Sequence, residues 1–195
     1  MKVIPILLCL VLLSSLSVAQ ETSPEYIINI GYFGNNLWNE GFRLGVEKPR
    51  DTFTKTNKRG KERTIARSYS ANFNLYHDTD SHTGVFITAG WSRKKFLKNR
   101  WNLSTSLEPI GLYRSFLPET YEVDDNGEVS KVMLPGRFYL SPSASAGIGR
   151  LSKENPDNGW YLRANVTTLF PYNRVFMPLF NVDLGYHFSF KLPQK

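Results

Sequence analysis

The chain has 195 residues, a length that suits one domain. Its single cysteine, Cys9, excludes an internal disulfide, and no apolar run of about 18 residues follows the N-terminal segment, so no transmembrane helix is expected. A formal charge of +7 leaves nucleic acid, anionic lipid or solvated loops to account for the excess of cations.

The first element is residues 1–19. Lys2 precedes an apolar stretch from Val3 to Leu13, and the small residues of Ser17-Val18-Ala19 close it. That is the layout of a secretory signal peptide, with cleavage expected before Gln20. Cys9 follows Leu8 inside the apolar core, which does not suit a lipoprotein. Export separates the chain from nucleic acid, so none is expected as a partner. The basic segments 48–64 and 93–100 read as connections in solvent or beside lipid headgroups.

Beyond the signal peptide the recurrent pattern is alternation, which places successive side chains on opposite faces of a strand. In residues 26–33, Tyr26, Ile28, Ile30 and Tyr32 share one side. Phe42, Leu44 and Val46 oppose Arg43, Gly45 and Glu47. Tyr69, Ala71, Phe73 and Leu75 oppose Ser70, Asn72, Asn74 and Tyr76. Val85, Ile87, Ala89 and Trp91 oppose Phe86, Thr88, Gly90 and Ser92. Trp101, Leu103, Thr105 and Leu107 oppose Asn102, Ser104, Ser106 and Glu108, after which Pro109 marks a bulge and the phase becomes ambiguous. The long connection 114–136 holds Asn126-Gly127 between "TYEV" and "EVSKV", a signal for a β-hairpin projecting from the body.

Three further segments complete the set. Leu140, Pro142, Ala144, Ala146 and Ile148 oppose Ser141, Ser143, Ser145 and Gly147. Leu162, Ala164, Val166 and Phe170 oppose Arg163, Asn165 and Thr167. From Phe180 to Lys191 one face is wholly apolar and the other reads Asn181, Asp183, Gly185, His187, Ser189 and Lys191. The expectation is an all-β, up-and-down antiparallel β-barrel of eight strands occupying residues 20–195.

Alternation suits a soluble barrel with its apolar face inward or a membrane barrel with that face toward lipid. The polar faces carry Arg43, Glu47, Glu108, Arg163 and Asp183, charges of both signs that can pair in one lumen. Aromatics recur near strand ends (Trp38, Trp91, Trp101, Tyr113, Trp160, Phe170 and Tyr172), as in an interfacial girdle. Both point to the membrane form. With the termini in the periplasm, the first-to-second and third-to-fourth strand connections would face outward and are short, while the basic 48–64 and 93–100 segments would be periplasmic, the reverse of the usual arrangement.

The final strand adds a resemblance. Asp183, Gly185, Phe188 and Phe190 are spaced as in the C-terminal insertion signal of bacterial outer-membrane barrels, although five residues follow Phe190. The stretches "IGYFGNNLWNEGFRLGVE" (30–47), "GLYRSFLPETYEV" (111–123) and "LPGRFYLSPS" (134–143) resemble an uncharacterised family of small outer-membrane β-barrel proteins from Bacteroidota envelopes. The resemblance implies fold and an outer-membrane location, with membrane lipid and the barrel-assembly machinery as partners. It implies no activity.

Candidate sites are few. His187 and Ser189 lie two apart on one face and look like part of the His/Ser constellation of the outer-membrane lipid A deacylases. The Glu and Asn surroundings of that family are not matched, and a lumen histidine in a polar network is the reading preferred here. His77, Asp78, Asp80 and His82 are of metal-ligating types, but alternation points the two histidines apart and a turn accounts for the segment. Arg43, Glu47, Glu108, Arg163 and Asp183 read as a structural ion-pair network. The expectation is therefore a monomeric, non-enzymatic barrel with a structural or surface-recognition role, no cofactor, and any extracellular ligand at 114–136. A lipid-modifying enzyme using His187 and Ser189, or a soluble periplasmic barrel around an apolar ligand, are the alternatives.

Overall fold

The computed structural model describes residues 25–191 apart from 37, 57–59, 80, 125, 155–157 and 173–174. The expected signal peptide (residues 1–19) and Asp80 lie outside the described residues. Eleven strands run in chain order: β1 (Glu25–Asn35), β2 (Gly41–Thr56), β3 (Glu62–Asp78), β4 (His82–Phe96), β5 (Trp101–Phe116), β6 (Tyr121–Val123), β7 (Val129–Lys131), β8 (Phe138–Leu140), β9 (Ser143–Leu151), β10 (Gly159–Tyr172) and β11 (Val175–Lys191). Each barrel strand pairs antiparallel with its neighbours. Both β8 and β9 pair with β5 and β10, so they form one stave interrupted at Ser141 and Pro142. Closure comes from β11 against β1, from Glu25 opposite Lys191 to Asn35 opposite Asn181. Among the described residues the result is a closed up-and-down barrel of eight staves, and closure leaves no free edge in its wall.

The alternation seen in the sequence sets which face looks inward. On β2, Phe42, Leu44 and Val46 are exposed while Arg43 and Glu47 are buried; on β11, Leu184, Phe188 and Phe190 are exposed while Asp183 and His187 are buried. A soluble barrel holding an apolar ligand would turn these faces the other way, so the observed partition does not favour that alternative. Pro109 does sit at an irregularity: Ala89 is opposite Ile110 but Trp91 is opposite Leu107, so Glu108 and Pro109 together face Gly90. The extra residue reverses the phase of the rest of β5. Tyr113, expected in the outer girdle, is therefore buried in the lumen, and Tyr172 likewise packs inward against the core.

The basic segments are also corrected. Residues 48–56 continue β2, paired from Lys48 opposite Tyr69 to Thr56 opposite Glu62, and residues 93–96 continue β4. Backbone pairing is indifferent to side-chain charge, so a cationic run can extend a hairpin as well as form a loop. The β2–β3 and β4–β5 junctions lie at the end that carries both termini. The opposite end carries residues 36 and 38–40, Thr79 and Ser81, and the described residues of 117–137.

Candidate functional site

The lumen has two storeys. Toward the termini lie three cations, Arg43, Lys94 and Arg163, and three anions, Glu47, Glu108 and Asp183. Arg43 Nη1 donates to Asp183 Oδ2 at 2.6 Å, and its Nη2 stands 3.7 Å from Glu108 Oε1. Arg163 Nε lies 3.8 Å from the same Asp183 oxygen, its guanidinium 4.0 Å over the Tyr161 ring. Lys94 Nζ is 3.0 Å from Glu47 Oε2. Two of the carboxylates also accept from the sheet, Glu47 from Asn29 and Ser92 and Glu108 from Asn72, Thr88, Ser106 and Ser143, whereas Asp183 Oδ1 has no hydrogen-bond partner among the described residues. Equal numbers of opposite charges, with neutral donors around Glu47 and Glu108, make this a packed ionic layer held by charge pairing as well as by hydrogen bonds. The structure brings all five expected lumen residues together and adds Lys94, whose inward position was hidden within the run Arg93-Lys94-Lys95.

Small residues make room for this layer. A Cβ on Gly147 would stand 2.3 Å from Arg163 Cγ, and one on Gly185 would stand 2.5 Å from the Tyr161 hydroxyl. Gly185, expected from the sequence to belong to an insertion signal, thus has a packing role in the barrel.

The second storey is aromatic. Phe33, Tyr76, Phe86, Tyr113, Leu169 and Leu179 form a buried cluster, with the Phe86 and Tyr113 rings 4.6 Å apart. Above it opens a chamber of about 460 Å³ at the loop-bearing mouth. Its floor is Tyr76, Tyr113, Tyr139, Tyr172, Leu169 and Leu179, and its rim includes Asn36, Asp78, His82, Ser115 and Arg137. Tyr76 Oη, Tyr113 Oη and His82 Nε2 lie mutually at 2.8 Å, a triangle of groups that each donate or accept. Such a chamber can take a small ligand with an apolar body and a hydrogen-bonding group.

The 117–137 connection borders that mouth. Phe116 still belongs to β5, so the connection begins later than the expected 114. The expected hairpin is present: Tyr121 to Val123 pair with Lys131 to Val129. Asp124 Oδ1 accepts from the Asn126 and Glu128 amides at 2.9 and 2.8 Å, and Gly127 adopts a φ of 83°. Val123, Val129, Met133 and Leu134 are exposed on it.

The remaining candidates separate. Ser189 faces the lumen, but its hydroxyl donates to Glu25 Oε1 rather than to His187, whose ring centroid is 6.4 Å from that of Tyr161. His77 points outward, its Nδ1 2.9 Å from Thr83 Oγ1, while His82 points into the chamber and Asp78 accepts from Ser81 Oγ at 2.8 Å. Among the described residues no three His, Cys, Asp or Glu side chains converge in a way that could hold a metal ion.

No family model matches the chain, and no curated protein does. Among solved structures it is similar to Ail, the attachment invasion locus protein of Yersinia pestis, at 13% identity over 87% of this chain and 100% of that one, with a TM-score of 0.49. It is similar to Neisserial surface protein A at 9% identity over 86% and 95% of the two chains, with a TM-score of 0.47. For the outer membrane enzyme PagL the identity is 10%, the coverage 84% and 97%, and the TM-score 0.45.

Proposed function

We propose that the protein is an exported, monomeric outer-membrane β-barrel with a structural or surface-recognition role. Its termini face the periplasm, and the chamber and the 117–137 connection face outward. The observation that carries this reading is the inverted partition across the wall. Ile30, Phe42, Leu44, Phe73, Ile87, Leu162, Leu184 and Phe188 are exposed on the outer face, whereas Arg43, Glu47 and Asp183 are 2%, 1% and 0% exposed inside. In water that belt would be an apolar patch far beyond what monomers show; in hydrocarbon it is the favoured arrangement. The closed wall satisfies the backbone pairing that lipid demands.

Residues 1–19, cut before Gln20, would supply export. Asp183, Gly185, Phe188 and Phe190 would be read by the barrel-assembly machinery before β11 closes on β1. Affiliation with small outer-membrane barrels of Bacteroidota envelopes rests on residues 30–47, 111–123 and 134–143. The recognition surface is the exposed apolar hairpin together with the tyrosine-floored chamber.

Cell fractionation tests this reading. The protein is expected in the detergent-extracted outer-membrane fraction with heat-modifiable gel mobility, and release in plain buffer would overturn it. Trypsin added to intact cells is expected to cut after Lys131 and to spare Lys48–Arg67; the reverse pattern would invert the orientation.

A further inference from the structure

The outer wall of β2, β3 and β4 carries guanidinium groups that the lumen network does not use. Pairing sets Arg67 directly opposite Arg93 on one face of the sheet, with Asp51 opposite Arg67 on its other side. Arg50 is the additional residue of the Pro49–Asp51 bulge. Like charges directly opposed, with roughly 4.5–5.5 Å between Cβ atoms, repel. One carboxylate offsets this in part: Asp51 lies 3.8 Å from Arg50 Nε and 3.6 Å from Arg67 Nη1. Among the described residues no carboxylate pairs with Arg93. The Phe53 ring 4.6 Å from the Arg67 guanidinium and the Tyr69 ring 5.8 Å from that of Arg50 hold these groups against the wall.

These arginines line a surface cleft of about 490 Å³ together with Trp91, Thr105 and Leu107. One pleat away from the terminus-bearing end, Tyr69, Trp91 and Leu107 stand side by side across β3, β4 and β5. A cationic step with one counter-charge therefore adjoins an aromatic and aliphatic strip on the same strands. An oxyanion between Arg67 and Arg93 would accept planar, charge-assisted hydrogen bonds from both. The apolar strip asks for chains attached to that anion, which a free ion lacks.

We propose that this cleft docks an anionic glycerophospholipid of the periplasmic leaflet, with its phosphate held by Arg67 and Arg93 and its acyl chains along Trp91 and Leu107. The inference rests on the membrane reading and on the termini facing the periplasm.

The test uses the folded barrel in nanodiscs of phosphatidylcholine alone or doped with phosphatidylglycerol. Native mass spectrometry after release is expected to show phosphatidylglycerol retained by the wild type. Arg67→Gln with Arg93→Gln should lower retention at least tenfold, and Lys131→Gln should leave it unchanged. In pure phosphatidylcholine the double variant should unfold at a higher temperature than wild type, because repulsion is relieved; phosphatidylglycerol should cancel or reverse that order. Equal retention by wild type and double variant, or no preference over phosphatidylcholine, overturns the docking site. So does equal stabilisation by millimolar inorganic phosphate, which would mark an anion site without a lipid. Failure of the wild type to insert into either bilayer overturns the membrane reading instead.

Discussion

Asp183 is fully buried in the lumen and serves both Arg43 and Arg163. Removing it leaves two guanidinium groups short of a partner in a low-dielectric interior, and breaking buried pairs in this way costs about 3–5 kcal/mol. Asp183→Ala is expected to lower the urea midpoint of the folded barrel by more than Lys94→Ala does, since Glu47 keeps its bonds from Asn29 and Ser92 when Lys94 is lost. Equal losses would mean that the two clusters carry equal weight. Gly185 permits a different discrimination. A methyl there meets Ile30 O at 2.4 Å and the Tyr161 hydroxyl at 2.5 Å, and the backbone atom cannot swing aside. Overpacking of this kind costs about 1–3 kcal/mol. Gly185→Ala, refolded into lipid vesicles without assembly machinery, should therefore melt earlier than wild type. An unchanged melting temperature would deny Gly185 its packing role.

At the scale of elements, β6 and β7 form a two-stranded sheet that, among the described residues, pairs with no barrel strand, so its stability should be separable from that of the barrel. Gly127→Val forces a branched residue into positive φ, which costs roughly 1–2 kcal/mol. Protease should then cut the connection faster while the melting temperature of the barrel stays where it was; a joint fall would show that the hairpin braces the wall. The hairpin base also titrates. The Lys131 ammonium, and secondarily the Tyr121 hydroxyl, hydrogen-bond Glu119 and hold its exposed carboxyl below the usual carboxylate range. A depressed value in the folded form means the contact is favoured above the free-chain value and lost as pH falls through the depressed one. NMR shifts of Lys131 should accordingly titrate with a midpoint below 4.5, and a midpoint at or above that value would deny the contact. Sequence made this hairpin legible because Asn-Gly tolerates positive φ. It hid the β2 and β4 extensions because their cations look like those of a loop, and it marked the Pro109 bulge without revealing that the bulge turns Tyr113 inward.

For the whole molecule, the question is whether eight staves enclose a pore. The charged lumen residues were readable from alternation plus ionic character, because a polar face bearing both signs has to pair. The aromatic storey was not, since Tyr76 and Phe86 stood on faces otherwise polar and their partner Tyr113 depended on the bulge. Together the storeys oppose conduction twice over. Eight strands give a bore just filled by side chains. One storey fills it with stacked rings and the other with ion pairs that an entering ion would have to break. The wild type in a planar bilayer should show no stable conductance steps. Tyr76→Ala with Tyr113→Ala should enlarge the chamber and still not conduct, because the Arg43, Glu108 and Asp183 layer beneath remains closed. Steady steps from wild type would refute the two-storey closure; steps from the double variant alone would place the seal in the rings and leave the ionic layer permeable.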